Sequence, residues 1–370
     1  MAGVTTDRCP GVLRPHQAAD GAMVRVRVPG GQTTGPQLQR LGHLAVQYGS
    51  GLLQLTSRAS LQVRGLPELL PEGFEDAVAD AGFLPSAAHE RVRNIACSPL
   101  TGLDGGLADL RSLVGQLDQA LQQDAALSTL SARFLFGLDD GRGDVAALEP
   151  DLTYRALDPD QGLVLVGPEL GFAVPSRDAV ATLVALAHDF ALAREASGAW
   201  RVHELPAWFL GLPDLQPVPH PDPPVLPLGR VGEHASVQVP LGFLTPEQLA
   251  AVASAAGDGP VVVTPWRGLV VPGGASGLDS LTATGLVTDA ASPWSTISAC
   301  VGGPWCAKGR VDTQQLVRSV ADLDAAWPRT HVSGCERRCG APTAAHHDLV
   351  APSRGELLAV ALPQPALTHG

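Results

Sequence analysis

The sequence predicts a mixed α+β protein built twice over, in which a small α+β half-domain precedes a larger α/β module and the pair is repeated about a pseudo-two-fold. Three observations carry this expectation. The chain has 370 residues, 45% of them apolar, which is material for two or three units at about 150 residues per domain. The run "LPDLQPVPHPDPPVLPL" over 212–228 holds seven prolines, too many for a helix or a central strand, and reads as an extended linker that divides the chain near its middle. The two sides then share an order of elements: "VRVRVPGGQTTGPQLQRLGHLAVQYGSGLLQLTSRASLQV" on the first, "ASVQVPLGFLTPEQLAAVASAAGDGPVVVTPWRGLVV" on the second.

Each copy begins with an alternating strand ending in Val-Pro, then a turn, an amphipathic helix, a glycine, and a strand reaching threonine. In the first copy Pro36 falls near a first helical position, with Leu38, Leu41 and Ala45 on one face. In the second, Thr245-Pro246-Glu247-Gln248 forms a capping box ahead of Leu249, Val252 and Ala256. Thr56 to Val63 repeats as Thr264 to Val271. Further strands are expected over 130–140 and 162–168, and helices over 176–197 and 311–326. The resulting organisation is a first half-domain over 8–75, a first α/β module over 88–205, the linker over 212–228, a second half-domain over 229–276 and a second module over 280–370.

The opening residues contain no apolar stretch of signal-peptide length, and the longest apolar run, 179–193, is interrupted by His188 and Asp189. A soluble, cytoplasmic protein is expected. The net charge of −12 argues against nucleic acid and against an anionic membrane surface as partners. Charge is nevertheless uneven: the first 64 residues carry seven arginines (Arg8, Arg14, Arg25, Arg27, Arg40, Arg58, Arg64) against two acids, Asp7 and Asp20. Lys308 is the chain's single lysine.

Four of six cysteines sit in two glycine-rich runs, "ISACVGGPWCAKG" and "VSGCERRCGAP". In a reducing compartment such clusters point to metal or redox chemistry rather than to disulfides. Cys300 and Cys306 stand too far apart for the usual zinc knuckle, whereas Cys335 and Cys339 would suit one. The flanking glycines let backbone amides approach a cluster's sulfurs, which favours an iron–sulfur cluster, with zinc as the alternative. Cys9 and Cys97 stand alone and read as small apolar residues. His346 and His347, being adjacent, point in different directions and read as surface residues.

Alternation in "AMVRVRVPG" places Val24, Val26 and Val28 on one face of a strand and Arg25 and Arg27 on the other; in "TSRASLQVRG" it turns Leu61 and Val63 inward and Ser60, Gln62 and Arg64 outward, with Arg58 at the bend. If the two strands pair, the guanidinium groups share a face suited to a ligand with several carboxylates. "GRGDVA" over 141–146 imitates a dinucleotide fingerprint, but Pro150 stops a helix and Asp139, Asp140 and Asp144 would repel a pyrophosphate. It reads as a turn, so electrons for a cluster would come from a separate donor protein.

With these residues assembled, the chain resembles the sulfite and nitrite reductase family. The resemblance rests on the C-x5-C and C-x3-C arrangement, "VRNIACSPLTG" over 92–102, and the two half-domain segments. It implies duplicated ferredoxin-like half-domains joined to duplicated α/β sirohaem-domain-like modules, and a four-iron four-sulfur cluster beside a tetrapyrrole. Cys300, Cys306, Cys335 and Cys339 would be the cluster ligands, Cys339 bridging to a second iron. Arg25, Arg27, Thr56, Arg58 and Asn94 fall where that family contacts its tetrapyrrole. The reductases also supply a lysine pair after a Leu-Pro-Arg type strand; here the run is "LSARFLFGL", with Arg133 at one such place and Leu135 where a second cation would be wanted. An apolar residue there cannot donate a proton. That departure, the brief C-terminus and "TPWRGLVV" resemble a shorter, cobalamin-pathway branch of the family, in which the tetrapyrrole is a substrate, precorrin-3A. The branch implies oxygen-dependent hydroxylation and lactone formation at a second iron centre, either mononuclear iron or sirohaem.

Overall fold

The computed structural model describes residues 7, 9–212, 214–321, 323, 327–342 and 344–361. Arg8 and part of the helix expected over 311–326 lie outside them.

The half-domains are built on two five-stranded sheets, and each sheet contains a strand from the other half. The first runs His16–Ala18, Gly21–Val26, Leu61–Leu66, Leu53–Leu55 and then Phe243–Leu244, whose Phe243 stands opposite Gln54. The second runs Gly229–Val231, His234–Gln238, Gly268–Val271, Pro260–Val263 and then Gln32–Thr34, with Thr33 opposite Val261. Behind them lie the equivalent helices Gly35–Tyr48 and Pro246–Ala256. Both carry a complete capping box, Thr34 with Gln37 and Thr245 with Gln248, which satisfies amides left free at a helix start. The helices touch where Gly42 leaves room for Leu249. Val24, Leu38 and Val63 from one half and Val237, Leu249 and Leu269 from the other belong to a single buried cluster.

The repetition reaches individual backbone angles. Gly30 (φ 59°) and Leu241 (φ 57°) occupy the same left-handed turn position, as do Ala59 (φ 52°) and Arg267 (φ 59°). At Gly31, φ is 70° and a Cβ would collide with the Val263 carbonyl, so the lent strand of the first half needs glycine there.

The first module is a six-stranded mixed sheet in the order Gln216–Pro217, Leu170–Pro175, Gln161–Val166, Leu152–Ala156, Phe136–Asp139, Ile95–Cys97, with the helices Arg111–Gln123 and Ala179–Ser197 in its core. Part of the proline-rich segment is thus an edge strand, where a missing amide does least harm. The strand expected over 130–140 is confined to Phe136–Asp139. The second module has three parallel strands, Ile297–Ala299, Thr330–Ser333 and His347–Val350, flanked by the helices Thr313–Ala321 and Arg354–Ala361. The strands Ile95–Cys97, Phe136–Asp139 and Leu152–Ala156 are parallel in the same way. No described helix is long and apolar enough to cross a membrane.

"GRGDVA" is a turn leading into a single 3-10 segment, Asp144–Leu148. Asp139 accepts from the amides of Gly141 and Gly143, Arg142 is bidentate to Asp140, and the Ser98 hydroxyl donates to Asp144 at 2.6 Å. Burial, aided by Asp139 and Asp140, pushes the Asp144 carboxyl up to about 7. A carboxyl raised in the folded state contributes stability below its unfolded value near 3.8 that is lost as pH climbs through about 7. Asp144→Asn, which keeps a group able to accept from Ser98, is therefore expected to be more stable than the parent at pH 8. The gap should close toward pH 4, as read by urea midpoints across that range.

Candidate functional site

Both cysteine loops leave the carboxyl ends of parallel strands, where open α/β sheets present ligands. Cys300 follows Ile297–Ala299 directly: its amide donates to Val332 at 3.0 Å, while Thr313 Oγ1 and Gln314 Nε2 donate to its carbonyl at 2.7 and 2.9 Å. The helix between the two pairs therefore pins Cys300. The loops pack backbone to backbone. Arg310 N donates to Gly334 O at 2.9 Å, and a Cβ on Gly334 would lie 3.1 Å from Gly309 Cα and 3.3 Å from Gly302 Cα. The Gly334 amide donates to Cys300 Sγ at 3.1 Å, the kind of amide–sulfur bond that steadies a thiolate.

Cys300, Cys306 and Cys335 are half-buried and Cys339 is exposed. The Cys339 thiol is pushed up by burial first and then by Cys300, Cys335 and Cys306. Among the described residues no three metal-ligating side chains converge on one ion. Ligands of an iron–sulfur cluster each take a different iron and need not close so far. The donor set and its amide partner thus fit a cluster.

The arginine strand pair meets the loop between Cys300 and Cys306 at Arg64, whose Nη2 donates to the Trp305 carbonyl. Gly21–Val26 and Leu61–Leu66 are antiparallel, with Arg25 opposite Gln62, Val24 opposite Val63 and Val26 opposite Leu61. With the Gln62 amide oxygen turned toward Arg25, it accepts from Nη2 at 2.8 Å and Nε at 3.1 Å, and its nitrogen donates to Gln54 at 2.8 Å. Arg27 is only 3% exposed, and among the described residues Nε, Nη1 and Nη2 have no hydrogen-bond partner. Burial, then Arg25, pulls its guanidinium down to about 9. Burial also lowers Arg25 and Arg58, and Arg58 Nη1 donates to the Arg133 carbonyl at 2.9 Å. Of the three, Arg25 and Arg58 have polar partners in Gln62 and the Arg133 carbonyl, while Arg27 among the described residues has none, and a buried guanidinium without a partner is unfavourable.

The other sequence-singled residues are differently employed. Arg64 departs from the expectation of an unneutralised face: Asp20, 44 residues earlier, holds it bidentately at 2.8 and 3.0 Å, and its Nη2 also reaches the Trp305 carbonyl at 3.3 Å. It ties the first half-domain to the loop between Cys300 and Cys306. Thr56 Oγ1 accepts from the amides of Arg58 and Ser60 and shapes the bend. Asn94 Nδ2 donates to Arg91 O and Ala132 O at 2.9 and 3.1 Å. Arg133 lies 4.0 Å above the Trp200 ring, and Leu135 is buried with Ala96 and Val145. His347 is exposed, while His346 meets the buried His331 ring edge-on at 6.1 Å.

One residue sequence reasoning passed over is Arg93, next to Asn94 in "VRNIAC". It is bidentate to Asp118 at 2.6 and 2.7 Å, has a buried Nη1 without a partner, and lines with Arg27, Gln32, Gln37 and Phe83 a cavity of about 170 Å³. No periodicity marked it, since its segment is irregular. Removing the acid from the Arg64 pair would strand a buried cation: Asp20→Ala is expected to lower unfolding stability by about 3 kcal/mol in urea titrations.

Comparison with known proteins agrees with this architecture. Residues 14–72 match the nitrite/sulfite reductase ferredoxin-like half domain. A precorrin-3B synthase from Sinorhizobium sp is 26% identical across 97% of this chain and 84% of its own length. A ferredoxin–nitrite reductase of Synechococcus elongatus is 28% identical, covering 87% of this chain and 75% of that one. The structure of the Mycobacterium tuberculosis NirA protein matches with a TM-score of 0.63 at 20% identity, over 86% of this chain and 69% of the other, a likeness of fold.

Proposed function

We propose that this chain, which carries a nitrite/sulfite reductase ferredoxin-like half domain and whose full-length relatives are oxidoreductases, catalyses the precorrin-3B synthase reaction, the oxygen-dependent hydroxylation and lactonisation of precorrin-3A. The observation that carries this reading is Arg27, buried to 3% exposure, with no partner among the described residues on any guanidinium nitrogen and with Arg25 and Arg58 nearby. A precorrin bears a full set of acetate and propionate chains, each able to take a bidentate arginine contact. Support also comes from the relative of that name, which aligns along 97% of the chain, and from Leu135, which sits in an apolar cluster instead of offering a second cation beside Arg133.

When bound, a four-iron cluster on Cys300, Cys306, Cys335 and Cys339 would supply single electrons to an iron centre at which oxygen is activated. The protein's part is otherwise recognition and exclusion. Arg25, Arg27 and Arg58 bind and orient carboxylates, and Arg64 keeps the arginine strands in register with the cysteine loop through Trp305. A monooxygenation places one oxygen atom in the substrate and releases the other as water, consuming two electrons and two protons, hence the need for a separate donor protein.

The nitrite reductase relative at 28% identity favours a second reading, an assimilatory sirohaem-dependent sulfite or nitrite reductase. Anaerobically reconstituted protein supplied with precorrin-3A, oxygen and a reductant distinguishes the two. A hydroxylated lactone in the mass spectrum supports the oxygenase. Bound sirohaem with ammonia or sulfide formation from a viologen donor, and no lactone, overturns it. Cys306→Ala is expected to lose iron, labile sulfide and the broad visible absorption together; unchanged iron would exclude that cysteine as a ligand. Arg27→Leu should weaken tetrapyrrole binding ten- to a hundred-fold, from about 1.5 to 3 kcal/mol for a charged hydrogen-bonded contact. Free of a buried orphan charge, the same variant should also resist urea at least as well as the parent.

A further inference from the structure

The run "TPWRGLVV" is the second-half counterpart of "TSRASLQV", and the residue that matches Ala59 is Arg267. Both hold a left-handed backbone, φ 52° and 59°, a conformation that disfavours any residue with a Cβ. Alanine and arginine carry the same Cβ penalty there, but a half-buried arginine must also desolvate its charge and needs a reason for its place. Its side chain crosses Gly242, where a Cβ would lie 2.9 Å from Arg267 Cδ, and Nη2 donates to the carbonyl of Gly340 at 3.2 Å. Gly340 follows Cys339 directly; burial lowers the guanidinium, and Cys300 is the negative group that opposes this. Among the described residues no carboxylate forms an ion pair with Arg267. The neighbouring His331 ring is buried and held neutral, with Ser298 as its partner.

We propose that Arg267 is a positioning residue for the cysteine centre: it anchors the Cys339 loop through Gly340 and sets the reduction potential by placing one uncompensated positive charge beside Cys300 and Cys339. This rests on the cluster reading above. A reduced cluster carries one more negative charge than the oxidised form, and a fixed cation nearby stabilises that state selectively. Arginine suits the task because its guanidinium holds a proton more strongly than a lysine ammonium does.

Reconstituted wild type, Arg267→Gln and Arg267→Lys are compared by iron and sulfide content and by potentiometric titration followed by electron paramagnetic resonance. The expectation is a full cluster in all three, with the reduction equilibrium of Arg267→Gln shifted about ten-fold toward the oxidised form, about 59 mV for one electron, and Arg267→Lys within about three-fold of wild type. A fully loaded Arg267→Gln at the wild-type potential overturns the proposal, as does a lysine variant displaced as far as the glutamine one. If Arg267→Gln cannot hold the cluster, Arg267→Lys decides: a full cluster at the wild-type potential supports the proposal, and loss in both overturns it. Wild type that takes up no iron and sulfide fails at the earlier step and removes the cluster reading itself.

Discussion

Reciprocal exchange of a short strand between the two half-domains is the constraint on which the rest of the structure depends. Neither sheet is complete without the other half's contribution, Gln32–Thr34 in one direction and Phe243–Leu244 in the other. An unfilled edge exposes unpaired amides and carbonyls, and the apolar faces of both sheets drain into one core. The exchanged segment also reaches the site: Phe243 pairs with Gln54 on one side and packs against Trp305, ring centres 6.2 Å apart, on the other. Arg64 spans the same seam by polar contacts, to Asp20, Gln54 and the Trp305 carbonyl. The Arg64 end of the arginine strands is thus joined to the loop carrying Cys300 and Cys306 across the duplicated halves.

Electrostatics gives that seam its character. In a chain of net charge −12, the site gathers cations of two kinds. Arg64 and Arg93 are neutralised by aspartates and serve as struts, whereas Arg25, Arg27 and Arg58 carry desolvation that the protein alone does not offset. A buried cation without a compensating partner costs stability, and an anionic group placed against it would recover that cost.

Much of this was legible beforehand, for reasons that can be named. Alternation set Val24, Val26, Leu61 and Val63 against Arg25, Gln62 and Arg64, and the strands pair in that sense. The Thr245–Gln248 capping box was readable from four letters, and Thr34–Gln37 obeys the same rule behind an intervening Gly-Pro. The strand exchange was not legible, since a segment of two or three residues bears no mark of the sheet it will join. Nor could alternation separate Arg27 from Arg64: both were placed on the polar side, and only the distant Asp20 makes one a strut and leaves the other alone. Arg93 and Arg267 escaped notice because irregular backbone has no period to betray its side chains. The strand expected over 130–140 shrank to Phe136–Asp139 because Ser131 and Ala132 are engaged by Asp7, which bends the preceding residues out of the sheet.

The traded strands carry a lesson about origins. A polypeptide of half this length, possessing one such half-domain, would be left with a vacant sheet margin and could fill it only from a second copy of itself. Joining two copies through a proline-rich tether turns that bimolecular encounter into an internal one and releases the twins from identity. One has kept the guanidinium-studded ribbon, and the other has handed its corresponding bend to Arg267 beside the sulfur-bearing loops.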